Sequence, residues 1–538
     1  MDGTGERARR RRWRWLAMAG VGIAAVSSTA VAWELAADPD ASPALCAPGD
    51  PNPEPGVQGD VPEGVTPAWD CGVRPIGFLA GANGSMAVAE HCAYTGAGLV
   101  GDGVRVIDVS DPTAPELVRV LSTSSRELLA AQVTDERGLL ATRRRAEARD
   151  GQVLGRDMLV DIWDIFEDCT DPQLLGTVRL PTTSDLFGDP PGEVGGPAHN
   201  LKFNPTATKL YGSLPVHEID LTNLDPSTWT FRNLHCAITE QFHLPHQAVP
   251  GLCDQLTDLE SPMGAAGGLP AIDHEPSFNP DGSRLYLGGQ LPTPDSLQML
   301  VLDMTGPDPV LISETQNAPG HSIDFMTIDG REYLLHANEI AAPTACIPER
   351  LRPRFLGFAD RAYVLDITDE AAPTHVSEIM LADSRFSQCG PSGGGPSTAY
   401  HEVDDPTDTH YAVIGFEAGG FRFFDVRDPA HPTEVAYFNH GRSEHTKSYV
   451  IPETGHIWAS DANGFWVLEL EPQVRAALGL QPTEEHAPVA PAAPAADAEV
   501  AGALARRASL PATGTAAPWL LGATLLALAL VARRLAAR

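Results

Sequence analysis

The chain has 538 residues, with 71 acidic against 37 basic side chains and a formal net charge of −34. Such a surface repels polyanions, so DNA and RNA are excluded as partners and anionic lipid is disfavoured, whereas divalent cations or a basic partner suit it. Its eight cysteines, an even number, suit an oxidising compartment and up to four disulfides.

Six arginines fall between Arg7 and Arg14, and an apolar run from Leu16 ends in Ala30-Val31-Ala32. A basic segment, a modest apolar stretch and an Ala-x-Ala exit predict a secretory signal peptide over 1–32, with Ala30 and Ala32 read by signal peptidase. Gly20, Gly22, Ser27, Ser28 and Thr29 make this run a poor permanent span, which weighs against an uncleaved anchor. General and twin-arginine export both stay open. Without this leader and the residues after Thr513, 28 basic and 69 acidic side chains remain, a formal net of −41. Residues 33–70, rich in proline, predict an extended arm.

From 71 to 472 one phrase recurs: apolar residues, an Asp, another apolar residue, then a proline-bearing turn. It appears around Asp108, Asp164, Asp220, Asp303, Asp366 and Asp425, and Glu469 closes the series with Glu in place of Asp. Upstream of the phrases lie hairpin-like units, clearest in Phe278-Asn279-Pro280-Asp281-Gly282-Ser283-Arg284-Leu285-Tyr286-Leu287, two apolar runs about an Asp-Gly turn. Seven copies with short β-runs predict an all-β fold, a seven-bladed β-propeller of four strands per blade, with the Asp on the third strand. A β-sandwich is the alternative, but an open stack would leave exposed edges that ring closure removes. The long interval between Asp220 and Asp303 predicts an insertion at about 235–270. The repeated Asp is read as structural, accepting turn amides, and Trp163, Trp229 and Trp458 as packing between blades.

The phrase Ile107-Asp108-Val109-Ser110-Asp111-Pro112 with Pro115 resembles the LVIVD repeat of bacterial surface β-propellers. That resemblance covers about residues 75–471 and implies the fold; propellers serve as enzymes, adhesins and scaffolds alike.

Sequence motifs for a nucleophile elbow, a His-Glu-x-x-His zinc site or a phosphate loop do not occur, which gives nucleophilic catalysis little support. Histidine placement says more. His199, His274, His321, His401 and His445 each open a predicted inner strand, and inner strands line the central channel of a propeller. Neutral imidazole is the commonest ligand for copper, zinc and iron, so these five are the candidate metal ligands, with Asp273, Glu275, Glu402 and Glu444 as acceptors that would orient the rings. The layout is similar to that of metal-dependent propellers such as thiol oxidases of the selenium-binding type and carotenoid oxygenases. Histidines repeated at one position can equally cap strand turns and bond a neighbouring blade. Among the cysteines, Cys236 with Cys253 and Cys346 with Cys389 are the preferred local pairs, with 105 connectivities formally open for eight cysteines.

Residues 473–509 carry Pro482, Pro488, Pro491 and Pro494 among Ala, Glu and Val, without an aromatic side chain. Such a segment predicts an extended linker reaching on the order of 100 Å at 3.1 Å per residue. The chain then reads Leu510-Pro511-Ala512-Thr513-Gly514, an apolar stretch over 516–532, and Arg533, Arg534 and Arg538, a span followed by a cytoplasmic positive stop. This arrangement over 510–538 resembles the LPXTG sorting signal of Gram-positive surface proteins. The resemblance implies sortase and peptidoglycan as partners, cleavage between Thr513 and Gly514, and a location at the outer wall. Three lysines against 34 arginines, with abundant Ala, Gly and Pro, match the codon usage of a GC-rich actinobacterium. The expected function is a wall-anchored propeller displaying a binding or adhesion surface for an extracellular ligand. The rival is an extracytoplasmic metal-dependent oxidase or hydrolase built on the histidine ring.

Overall fold

The computed structural model describes residues 69–82, 85–96, 103–121, 129–145, 158–180, 200–212, 217–234, 275–288, 298–316, 322–337, 362–379, 398–416, 419–440, 448–461, 463–483 and 486. Two strands come first, β1 (Trp69–Cys71) and β2 (Val73–Ala80). Blade 1 is β3 (Met86–Ala89), β4 (Cys92–Thr95), β5 (Val104–Asp108) and β6 (Glu116–Leu121). Blade 2 is β7 (Leu129–Val133), β8 (Gly138–Arg145), β9 (Met158–Asp164) and β10 (Gln173–Leu180). Blade 3 is β11 (Leu201–Phe203), β12 (Lys209–Gly212), β13 (His217–Asp220) and β14 (Thr230–Asn233). Blade 4 is β15 (Pro276–Phe278), β16 (Arg284–Gly288), β17 (Gln298–Asp303) and β18 (Val310–Gln316). Blade 5 is β19 (Ser322–Ile328), β20 (Arg331–Ala337), β21 (Ala362–Asp366) and β22 (Thr374–Ile379). Blade 6 is β23 (Thr398–Val403), β24 (Tyr411–Phe416), β25 (Gly420–Asp425) and β26 (Thr433–Asn439), and blade 7 has β27 (Tyr449–Ile451), β28 (His456–Asp461) and β29 (Gly464–Leu470). All pairings are antiparallel, and the seven sheets make an all-β, seven-bladed propeller.

The strands read as apolar runs because both faces of each sheet are covered. In blade 6, Tyr411 and Val413 pack toward blade 7, while Ala412 and Ile414 pack toward blade 5. Leu285 and Leu287 face blade 3, and Tyr286 between them faces blade 5. The side-chain period of two thus divides each strand between two neighbours. The core consists of seven clusters, one at every blade interface, with Trp163, Trp229 and Trp458 each at such an interface.

Each repeated Asp ends the third strand of its blade. Its Oδ1 accepts the amide two residues on: Ser110, Phe166, Thr222, Thr305, Thr368 and Arg427 donate at 2.8–3.0 Å. These are Asx turns, in which the carboxylate stands in for a backbone acceptor and aims the chain into the fourth strand. A second local device closes the hairpins: Asn204 Oδ1 accepts the Thr208 and Lys209 amides, and Asn279 Oδ1 accepts that of Arg284, all at 2.9 Å.

Ring closure uses the start of the chain. Strand β2 pairs with β29 from Val73 opposite Leu470 to Ala80 opposite Gly464, supplying the fourth strand of blade 7. Strand β1 adds a fifth to blade 6, with Trp69 opposite Asn439 and Cys71 opposite Tyr437. Gly464 sits at φ +156°, and a Cβ there would come within 2.2 Å of the Leu79 carbonyl oxygen, so the closing strand can approach only a glycine.

One expectation changes. The extended linker was to begin at Gln473, but a helix α1 (Pro472–Leu478) stands there, ended by Gly479 in the left-handed region. Val474 and Leu478 are buried against blades 6 and 7, and this tertiary burial compensates for a helix too short to persist alone. The disulfide Cys92–Cys169 joins β4 of blade 1 to the turn after β9 of blade 2 across 77 residues. Cys71 is disulfide-bonded as well. The pairs Cys236–Cys253 and Cys346–Cys389, the insertion at 235–270, the signal peptide with Ala30 and Ala32, and the segment 510–538 lie outside the described residues. Among the described residues no helix is long and apolar enough to cross a membrane.

Candidate functional site

The first strand of each sheet is its innermost, so β3, β7, β11, β15, β19, β23 and β27 surround the axis. The Tyr449 hydroxyl of β27 donates to the Met86 carbonyl of β3 at 2.8 Å, joining the last inner strand to the first. Between these strands lies a cavity of about 270 Å³. Its polar lining comes from Gln132, Asn200, Lys202, Glu275 and Glu402, with Tyr449 alongside.

Asn200 directly precedes β11, Glu275 directly precedes β15, and Glu402 lies near the end of β23. Asn200 and Glu275 are buried. Among the described lining residues Glu275 and Glu402 carry carboxylates and Lys202 an ammonium, and the low-dielectric walls strengthen the field of both signs. The wall between the polar groups is apolar: Met86, Val88, Leu129, Leu201, Phe203 and Val450. Such a mixture, apolar with a few convergent polar groups, is the usual make-up of a small-ligand site.

Of the five histidines expected to ring the channel, His199, His274, His321 and His445 lie outside the described residues, and of His401 the structure describes the backbone, on β23 opposite Ile414. What the structure does bring together is the residue that follows three of them, namely Asn200, Glu275 and Glu402. Glu275 and Glu402, expected to orient imidazoles, are among the residues that line the cavity. The same repeat, read one position further along, would have pointed to all three.

A second cluster, His91 with Cys92 and Cys169, sits at the junction of blades 1 and 2. His91 Nε2 lies 3.5 Å from Cys169 Sγ. Both sulfurs are committed to the disulfide, so this trio presents no thiolate. The phenols of Tyr94, Tyr211, Tyr286 and Tyr411 are pushed far up by burial; Tyr94 donates to the Cys169 carbonyl and Tyr211 to Glu218 Oε2, both at 2.7 Å.

No family model matches the chain, and no curated protein matches it. Among solved structures it is similar to the β-propeller domain of Cps50 (Swd1) from Myceliophteria thermophila, at 11% identity and TM-score 0.43, covering 76% of this chain and 100% of that one. It is also similar to a functionally unknown protein from Desulfotomaculum acetoxidans, at 10% identity and TM-score 0.40, covering 73% and 92%. Kuenenia stuttgartiensis hydrazine synthase gives 12% identity and TM-score 0.42, covering 73% and 96%. Likenesses this distant say nothing of function.

Proposed function

We propose that this protein is a wall-displayed binding propeller that takes the cationic end of an extracellular ligand, a basic side chain or a small polyamine, into its central channel. The observation that carries the reading is the axial cavity whose lining includes Glu275, Glu402 and Lys202, set in a chain whose net charge is −34. An amine entering from water would exchange hydration for two carboxylates, and long-range attraction would raise its encounter rate. At about 270 Å³ the cavity suits one side chain rather than a drug-sized molecule.

Display at the wall rests on the sequence: Leu510-Pro511-Ala512-Thr513-Gly514, the apolar stretch over 516–532, and Arg533 and Arg534. A sortase would join the Thr513 carbonyl to peptidoglycan, releasing the segment from Gly514 onward.

The binding reading is tested by calorimetry with tri-lysine and spermidine as probes and citrate as the anionic control. Saturable binding of the cations, weakened about tenfold or more in Glu275→Gln and Glu402→Gln, supports it; each removed charge–charge contact is worth about 1.4 kcal/mol or more at such a fold-change. Equal affinity in both variants, or tighter binding of citrate, would overturn it. Replacing Leu510 and Pro511 by alanine should move the protein from the wall to the membrane fraction or the medium. Release of that variant only by muralytic enzymes would remove the sorting reading.

A further inference from the structure

The last copy of the repeat carries Glu469 where the others carry Asp, and the longer side chain does something different. Its Oε2 accepts from Arg74 of β2, from Nη2 at 2.9 Å and Nε at 3.3 Å, and its Oε1 accepts from the Thr483 hydroxyl at 2.9 Å. Thr483 belongs to the segment that leaves helix α1. From that same segment His486 brings Nδ1 to 3.9 Å from Glu469 Oε1. From β28, His456 places its ring 5.5 Å from that of His486, centroid to centroid, at an interplanar angle of 72°. Ligand atoms of the three residues all lie within 4.8 Å of one another.

We propose that His456, Glu469 and His486 form a site for a zinc-class transition-metal dication, which pins the C-terminal exit segment to blade 7.

Two imidazoles and one carboxylate are a donor set that zinc takes with nitrogen and oxygen distances of about 2.0–2.2 Å, leaving a fourth position for water. Ligand atoms that close need only small side-chain rotations to meet one ion. Glu469 and His456 are 1% and 5% exposed, so the site has rigid walls on the blade side. The Nδ1 atom of His486 is buried and has no hydrogen-bond partner. A buried polar atom without a partner costs free energy, and a metal bond would satisfy it. Arg74 holds one oxygen of Glu469 and leaves Oε1 for the ion once the Thr483 hydroxyl turns away. Arg475, whose guanidinium donates to the Gln481 carbonyl at 2.6 and 2.9 Å, is a positive charge nearby that opposes any cation; the two imidazole nitrogens are what favour a zinc-class dication over calcium or magnesium, which take oxygen ligands.

The test is a zinc titration of the purified full-length chain after exhaustive chelation, read by calorimetry and by cobalt(II) substitution spectra. One zinc per chain is expected to bind saturably at this site, with a tetrahedral cobalt spectrum. Affinity should fall about 100-fold or more in His486→Ala, on an exit segment outside the blades, and stay unchanged in His401→Ala. Zinc should also slow amide exchange across 480–483 at least tenfold. A chain that binds no zinc saturably, or whose zinc affinity is equal in His486→Ala, overturns the proposal. Loss in His401→Ala with retention in His486→Ala would also overturn it and move the metal to the channel.

Discussion

Replacing Ile76 by alanine probes whether the first strands truly lock the ring. Ile76 is 0% exposed and packs between blades 7 and 1 with Ile107, Trp458, Phe465 and Val467. It lies in β2, which shares pairings with β29 from Val73 to Ala80. The same strand carries Val73, 1% exposed, and Phe78, whose ring sits 4.1 Å from that of Trp466. At about 1.5–3 kcal/mol per fully buried large side chain, Val73 and Ile76 contribute roughly 3–6 kcal/mol, with half-buried Phe78 adding less, a large share of the stability of a typical domain at about 5–15 kcal/mol. An isoleucine-to-alanine change at such a position costs about 2–5 kcal/mol, and the tight packing on both sides places Ile76→Ala at about 3–4 kcal/mol. Urea unfolding should show the loss as a lower midpoint. Hydrogen exchange should locate it: the amides of β28 and β29 should lose protection, while those of β12 and β13 in blade 3 keep theirs. A loss under about 1 kcal/mol, or exchange that rises evenly around the ring, would refute closure by β2.

Two further outcomes follow from buried charge. Asp461 is 1% exposed, and desolvation raises its pKa from 3.8 to about 6, against the pull of the Asn463 and Gly464 amides. Its contribution to stability is therefore fully present below about pH 4 and is lost as pH rises through about 6, a difference of about 3 kcal/mol at 1.36 kcal/mol per pKa unit. Urea midpoints between pH 4 and 7 should show this slope in the native chain and not in Asp461→Asn; parallel curves would contradict it. Arg422 is fully buried and pairs with Glu434 Oε1 at 2.9 Å, with its Nε donating to the Gly419 carbonyl at 2.7 Å. Glu434→Ala would leave a buried guanidinium without its counter-charge and should cost about 3–5 kcal/mol in thermal or urea unfolding, while Glu434→Gln, which keeps an acceptor, should cost less.

The elements legible in advance are those whose reasons lie within a few residues. The Asp at the end of each third strand bonds an amide two positions on, so its recurrence marks a blade wherever it occurs. The Asn279–Ser283 turn, with Gly282 at φ +72° and the Gly282 amide on the Asn279 carbonyl at 3.0 Å, is equally local. Strands buried on both faces show as unbroken apolar runs, and seven of them with one punctuation require a closed ring. The ordered repeat therefore carried the fold class and the number of blades, because every blade repeats the same short-range solution.

Decisions that join distant residues left no such mark. Arg74 meets Glu469 across 395 positions, and Cys92 finds Cys169 in the next blade rather than a cysteine nearby. Helix α1 exists because Val474 and Leu478 have a groove to fill, which a reading of Pro, Ala and Glu content could not supply. The site shows the same division. The repeat located the inner strands, but which residues of each border the cavity depends on how the blades tilt together, and Asn200, Glu275 and Glu402 are among those that do. His456, Glu469 and His486 come from two strands and an exit segment. His456 and Glu469 sit one step beyond the Ile457–Leu468 pair of neighbouring strands, and the docking of α1 brings His486 to them; hydrogen bonds between near neighbours encode the blade, and contacts between its ends encode the ring.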